Sequence, residues 1–221
     1  SVTVNEVTTT HTVDPSENPG VNSVTVGLDL FGNSYWVETT NTYKIIDNQA
    51  KVVKATTVTH AENVDTSISH SVITIVYEYT TRDTQVGDIP SYLQGQYLRD
   101  GEVLAGLLLS AEGTGTVSGN DNMGNTHTGT IEQKYVIING REKLSYSKQI
   151  TEIQGIGGWS KTVTTEWWAG DGSNTPESAL ASYDEYGRNT RYHQVTIEKG
   201  DGVLIPYERE TIVDWEAAGY N

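Results

Sequence analysis

Tyr43-Lys44-Ile45-Ile46-Asp47-Asn48 is followed, 92 residues on, by Tyr135-Val136-Ile137-Ile138-Asn139-Gly140. In each copy a β-prone run ends in two residues that tolerate positive φ, and a second run follows. Asn-Gly is the strongest short hairpin signal, because a type I′ turn needs positive φ at both central positions. Asp-Asn is the next-best chemistry for the same turn. The spacing therefore predicts one hairpin written twice, with strands over 39–46 and 50–59 in the first copy.

Working outward, the likeness continues without a gap. Between residues 27 and 51 eight positions are identical at this offset: Gly27, Asp29, Gly32, Asn33, Tyr43, Ile45, Ile46 and Lys51. After two short deletions in Gly/Asn/Asp/Ser-rich segments, Pro90 aligns with Pro176, Tyr97 with Tyr183 and Gly101 with Gly187. Loops tolerate such length changes. The chain divides on this reading into an extended Thr/Val-rich arm and hinge (1–26), a β unit (27–118) and a second β unit (119–221) that repeats the first.

A third strand is expected over 71–80, where Ile73, Ile75, Tyr77 and Tyr79 alternate onto one face, with its counterpart over 160–168. Pro90 and Pro176 mark the start of a short helix in each unit, with Thr175 as N-cap of the second. Strands return over 97–110 and 183–197, with Gly101 and Gly187 in turns. The expected fold class is mainly β: antiparallel sheets in two tandem similar units, each with one short helix.

Composition agrees. Tyr (13) and Trp (5) are plentiful whereas Phe and Met occur once each, which favours pleated surfaces over Leu/Phe/Met helix packing. With no cysteine, disulfides, thiolate metal sites and cysteine nucleophiles are excluded. The net charge of −15 repels phosphate backbones, so nucleic acid is not an expected partner. No apolar run approaches the ~20 residues a spanning helix needs. The opening Ser1-Val2-Thr3-Val4 lacks an initiator Met and is read as a processed, secreted start.

Tyr183-Asp184-Glu185-Tyr186-Gly187-Arg188-Asn189-Thr190 resembles the YD repeat of RHS/YD-type bacterial extracellular proteins, whose core is Tyr-Asp-x-x-Gly-Arg. The resemblance covers about eight residues of one motif. Unit one departs from it: Tyr97-Leu98-Arg99-Asp100-Gly101-Glu102 keeps Tyr and Gly but not Asp and Arg in the matching places. The family builds sheets from β-hairpin repeats that wall off a shell. The resemblance implies a secreted β-repeat architecture at a bacterial cell surface; a closed shell needs many more copies than 221 residues hold.

Several residues are candidates for function. The arm, with Val2, Val4, Val7 and Val13, is extended by propensity and precedes the breaker Asp14-Pro15-Ser16-Glu17-Asn18-Pro19-Gly20. Such a segment suits addition to a sheet edge of another copy. Trp36, Trp159, Trp168 and Trp215 are candidate partner or glycan contacts. The adjacent Trp167 and Trp168 must point to opposite faces. Asp29, Asp121 and Asn125, in matching Gly/Asn/Asp turns, are candidate calcium ligands, although the EF-hand spacing is not met. No other cofactor is expected. The five histidines show no zinc spacing, but His60 and His70 are placed to meet across a hairpin. No nucleophile elbow or phosphate loop is present.

These features point to an extracellular structural protein, a fibre subunit or a repeat segment of a surface or adhesive protein, self-associating into a homopolymer or tandem array by strand addition. A carbohydrate- or lipid-binding β module is the second expectation. The third is a glycoside hydrolase using two of the carboxylates Glu166, Asp184, Glu185, Glu208, Glu210 and Asp214.

Overall fold

The computed structural model describes residues 21–28, 32–201 and 206–216. Strand makes up 66% and helix 9%, so the expected antiparallel, mainly β class holds. One ten-stranded meander carries the molecule. Its strands, in order across the sheet, are β1 (Val21–Leu28), β2 (Ser34–Ile46), β3 (Gln49–Glu62), β4 (Ile68–Tyr79), β7 (Leu108–Asn120), β8 (Thr126–Ile138), β9 (Arg141–Gln154), β10 (Ser160–Ala169), β11 (Arg191–Asp201) and β12 (Pro206–Glu216). A two-stranded hairpin of β5 (Leu98–Arg99) and β6 (Glu102–Val103) stands apart.

The predicted hairpin appears twice. β2–β3 and β8–β9 have the same bounds shifted by 92 residues, and their turns hold positive φ at Asp47 (47°) and Asn48 (60°) and at Asn139 (51°) and Gly140 (73°). Each pair carries a register shift at the same place, Thr42/Tyr43 and Lys134/Tyr135, which leaves Val53 and Ser145 as the extra residues. At the other end, the Asn33 side-chain oxygen accepts from the Val64 N–H at 3.0 Å, and Asn125 accepts from the Ile156 N–H at 2.9 Å. These turns use side-chain oxygens to satisfy backbone groups that no ladder reaches.

Local chemistry corrects several expected boundaries. Within 97–110 the turn expected at Gly101 is present, Asp100 and Gly101 holding positive φ and closing the β5–β6 hairpin, but the strand after it, β7, begins only at Leu108. Pro90 is the N-cap of helix α1 (Ser91–Tyr97) rather than a residue of its first turn. Helix α2 (Pro176–Ala181) starts as expected, with the Thr175 hydroxyl accepting from the Ser178 N–H. The boundary drawn between residues 118 and 119 falls inside β7, and the sheet runs through it without a break.

Because the strands alternate in direction, both helix-bearing connections (80–107 and 170–190) and both tight hairpin turns lie at one end of the sheet. The core sits there. Ile89, Leu93, Tyr97, Leu108 and Ile137 form one buried cluster; Val136, Ala169 and Ala179 form a second. The fully buried Thr80 anchors the first connection, its hydroxyl donating to the Leu104 carbonyl at 2.7 Å and accepting from the Leu107 N–H at 2.9 Å. Away from this end the sheet is a single layer among the described residues. Its middle is held close by glycine: a Cβ on Gly115 would stand 2.4 Å from the Val72 carbonyl oxygen, and one on Gly129 2.3 Å from that of Ile150. Gly in a strand interior marks such close backbone approach.

Candidate interaction edges and aromatic rows

Two strands bound the sheet. β1 pairs only with β2, and β12 only with β11, among the described residues. Their outer N–H and C=O groups form the two open edges. β1 (VNSVTVGL) carries no charge, and Val24, Val26 and Leu28 are 63%, 72% and 70% exposed. β12 (PYERETIVDWE) carries four acidic residues and one arginine. Charges on an edge are a common guard against unwanted pairing. One edge is thus guarded and the other is not. The arm residues Val2, Val4, Val7 and Val13 lie outside the described residues.

Register places the aromatic candidates in rows. Trp36, His60 and His70 are direct cross-strand partners on β2, β3 and β4. The Trp36 and His60 rings stack with centroids 5.8 Å apart, and His60 and His70 lie 6.2 Å apart. The meeting of the two histidines expected from sequence therefore occurs. His60 Nε2 also lies 3.3 Å from Glu62.

On the same face, Trp168 pairs with Tyr146 on one side and His193 on the other, at 5.7 and 5.5 Å. His193 Nδ1 lies 2.6 Å from the Asp214 carboxylate. Trp167 faces the other way, packing beside Ala169 and Leu180 and tilting against Tyr192, on which Trp215 stacks at 5.4 Å. Trp159 lies over Gly155 inside a turn, where a Cβ would collide with its ring. Of the four tryptophans picked from sequence, Trp215 is the most open, at 42% exposed.

Of the calcium candidates, Asp121 and Asn125 bond to each other within one turn. Asp121 accepts from the Met123 and Asn125 N–H groups, both at 2.9 Å, and from the Asn125 side-chain amide at 2.6 Å. These bonds hold its carboxyl below the ordinary aspartate range, the Asn125 side chain contributing most. The turn is closed by its own oxygens. Asp29 lies outside the described residues. Among the described residues no three His, Asp, Glu or Cys side chains converge.

Three of the carboxylates named for a hydrolase sit with a base or a hydroxyl here. Glu166 is 2.8 Å from Lys148 and accepts from the Tyr146 hydroxyl, Glu208 is 3.2 Å from Lys199, and Asp184 accepts from the Arg188 guanidinium at 2.7 Å. Asp184 also accepts from the Tyr186 and Arg188 N–H groups, which lowers its carboxyl, and Gly187 sits at φ 72°. Tyr183-Asp184-x-x-Gly187-Arg188 is thereby a self-contained hairpin turn. The Tyr183 hydroxyl ties it to the Leu144 carbonyl at 2.6 Å.

Sequence reasoning did not single out Tyr77, Tyr79, Tyr92 and Tyr135 as a group. They crowd around the bulged end, and burial together with the Glu142 charge pushes Tyr77 up to about 12. The alternation of Tyr77 and Tyr79 was a local signal, but nothing in the sequence joins them to Tyr92 on α1 or Tyr135 on β8. No protein-family profile, curated protein or solved structure matches this chain.

Proposed function

We propose that this chain is an extracellular structural protein, a subunit of a fibre or a repeat segment of a surface or adhesive protein, that assembles by β-strand addition. The observation that carries the reading is the pair of open edges, one of them uncharged and lined by exposed valines. The sheet has ten strands in strict alternation, so β1 and β12 run in opposite directions. A β12 edge set beside the β1 edge of another copy continues the antiparallel ladder. Two β12 edges would set four carboxylates against four, which disfavours that pairing. The repeated hairpins and the resemblance of residues 183–190 to a bacterial extracellular repeat support the same setting.

Sedimentation and electron microscopy at rising protein concentration test it. The expected outcome is concentration-dependent growth that the double substitution Val24→Lys, Val26→Lys abolishes and removal of residues 1–20 alters. A chain that stays monomeric throughout, indifferent to both changes, sinks the proposal.

One observation favours a second reading, a carbohydrate-binding β module. Trp36, His60 and His70 offer a continuous ring surface on the open end of the sheet, and flat aromatic surfaces stack on sugar rings. Glycan-array binding lost on Trp36→Ala, with self-association intact, would decide for it.

A further inference from the structure

The junction between β7 and β8 has a twin at β1 and β2. β7 meets β8 from Gly113↔Gln133 to Asn120↔Thr126, and β1 meets β2 from Val21↔Asn41 to Leu28↔Ser34. Every one of these pairs is displaced by 92 residues, so β1 stands to the first hairpin as the last strand of unit one stands to the second.

The two junctions differ in what covers them. At β7–β8, the segment leading into β7 closes over Ile137, which is 2% exposed among Ile89, Leu93, Tyr97 and Leu108. The Ile137 N–H donates to the Tyr92 hydroxyl at 3.4 Å. At β1–β2 the matching residue, Ile45, is 65% exposed. Its neighbour Ile46, matching Ile138, is buried at 9%. The bare isoleucine, Ile45, is the one that a preceding unit would cover.

We propose that the β2–β3 hairpin at Ile45 is a docking site for a further repeat of the unit-one kind, whose helix-bearing connection lies over Ile45 as residues 89–108 lie over Ile137. The argument is continuity with an interface the molecule already makes between its own units. Neither α1 nor α2 supplies this partner. α1 is committed to Ile137, and α2 carries Thr175, Ser178 and Ala179 where the first connection carries Ile89, Tyr92 and Leu93. Unit two thus has the small-residue character of a terminal repeat, and unit one that of an internal one. The proposal deepens the repeat-segment reading and rests on it.

The test inserts a second copy of residues 27–118 directly ahead of residue 27 in the full chain, and follows urea unfolding. An added unit that docks raises the m-value, since more surface is exposed on unfolding. In the parent, Ile45→Val should leave the midpoint unchanged while Ile137→Val lowers it. In the inserted chain, Ile45→Val in the inner copy should lower the midpoint as Ile137→Val does. The proposal is overturned if the inserted unit adds nothing to the m-value, or if the inner Ile45→Val stays neutral in a folded chain. It is also overturned if Ile45→Val costs as much as Ile137→Val in the parent and becomes neutral once residues 1–20 are removed, which would make the arm the occupant. The insertion is intramolecular, so failure of copies to associate leaves its outcome readable.

Discussion

The hairpins β2–β3 and β8–β9 share length, turn position and bulge, yet they bury one matching isoleucine differently. Ile137 is sealed at 2% exposed while Ile45, its counterpart, is open at 65%. The backbone geometry is a local property, set by Asp47-Asn48 and Asn139-Gly140 and by alternating strand residues. Burial is a property of what comes before. β8 follows a unit that brings a helix over it, and β2 follows only β1 among the described residues. The first isoleucine of the same strand sequence, Tyr-x-Ile-Ile, is core in one setting and surface in the other.

The largest test of this contrast is truncation of the two isoleucines. Ile137→Ala should cost about 2–5 kcal/mol, the usual range for a large-to-Ala change in a core. Ile45→Ala should stay within about 0.5 kcal/mol, as exposed substitutions do. Denaturant midpoints measure both, and equal costs would break the comparison.

The turns should differ less. Gly140→Ala places a Cβ at φ 73° and is expected to cost about 1–2 kcal/mol. Asn48→Gly should raise stability, by less than about 1 kcal/mol, because the position already demands positive φ. Thermal melts of the two variants, moving in opposite directions, would show that the first copy's turn is the more strained one.

At the far end the copies should behave alike. Asn33→Ala and Asn125→Ala each remove the acceptor of a backbone N–H, at Val64 and Ile156. Each should cost about 0.5–1.5 kcal/mol. Unequal costs would show that the two loops are not equivalent despite their geometry.

The smallest effect concerns acid. Asp65, Asp121 and Asp184 are held below the ordinary aspartate value of 3.8 by hydrogen bonds that the unfolded chain lacks. Their folded values are depressed, so their contribution is fully present above 3.8 and is lost as the pH falls through the folded values. Stability should therefore decline below about pH 4. Asp121→Asn should flatten that decline, which a pH series of melting temperatures would register.

Much of the fold was legible in the sequence for a physical reason. Period-2 alternation over Ile73, Ile75, Tyr77 and Tyr79, and Asn-Gly chemistry at 139–140, are local signals that need no partner. The cross-strand meeting of His60 and His70 was legible too, since a short turn fixes hairpin register. The turn at Gly101 was legible from its glycine; that β7 starts only at Leu108 was not, because it depends on the Thr80 hydroxyl holding the backbone of Leu104 and Leu107. The aromatic rows were hidden for another reason. That Trp168 meets His193 as well as Tyr146 depends on a register set across the long connection 170–190. The bonding within the 121–125 turn was hidden too, since oxygen-rich turns look alike until the hydrogen bonds show Asp121 held by Asn125.

By itself, then, the amino-acid order determined the strands, the turns, the two short helices and the 92-residue recurrence, because each follows from dihedral preferences and alternation within a few residues. Only the tertiary structure decided that both halves share one continuous sheet, that the core gathers at one end, and that one of two matching isoleucines is left bare. Those outcomes turn on which strand lies beside which and on what packs over them, and burial is a relation between distant segments that no single segment encodes.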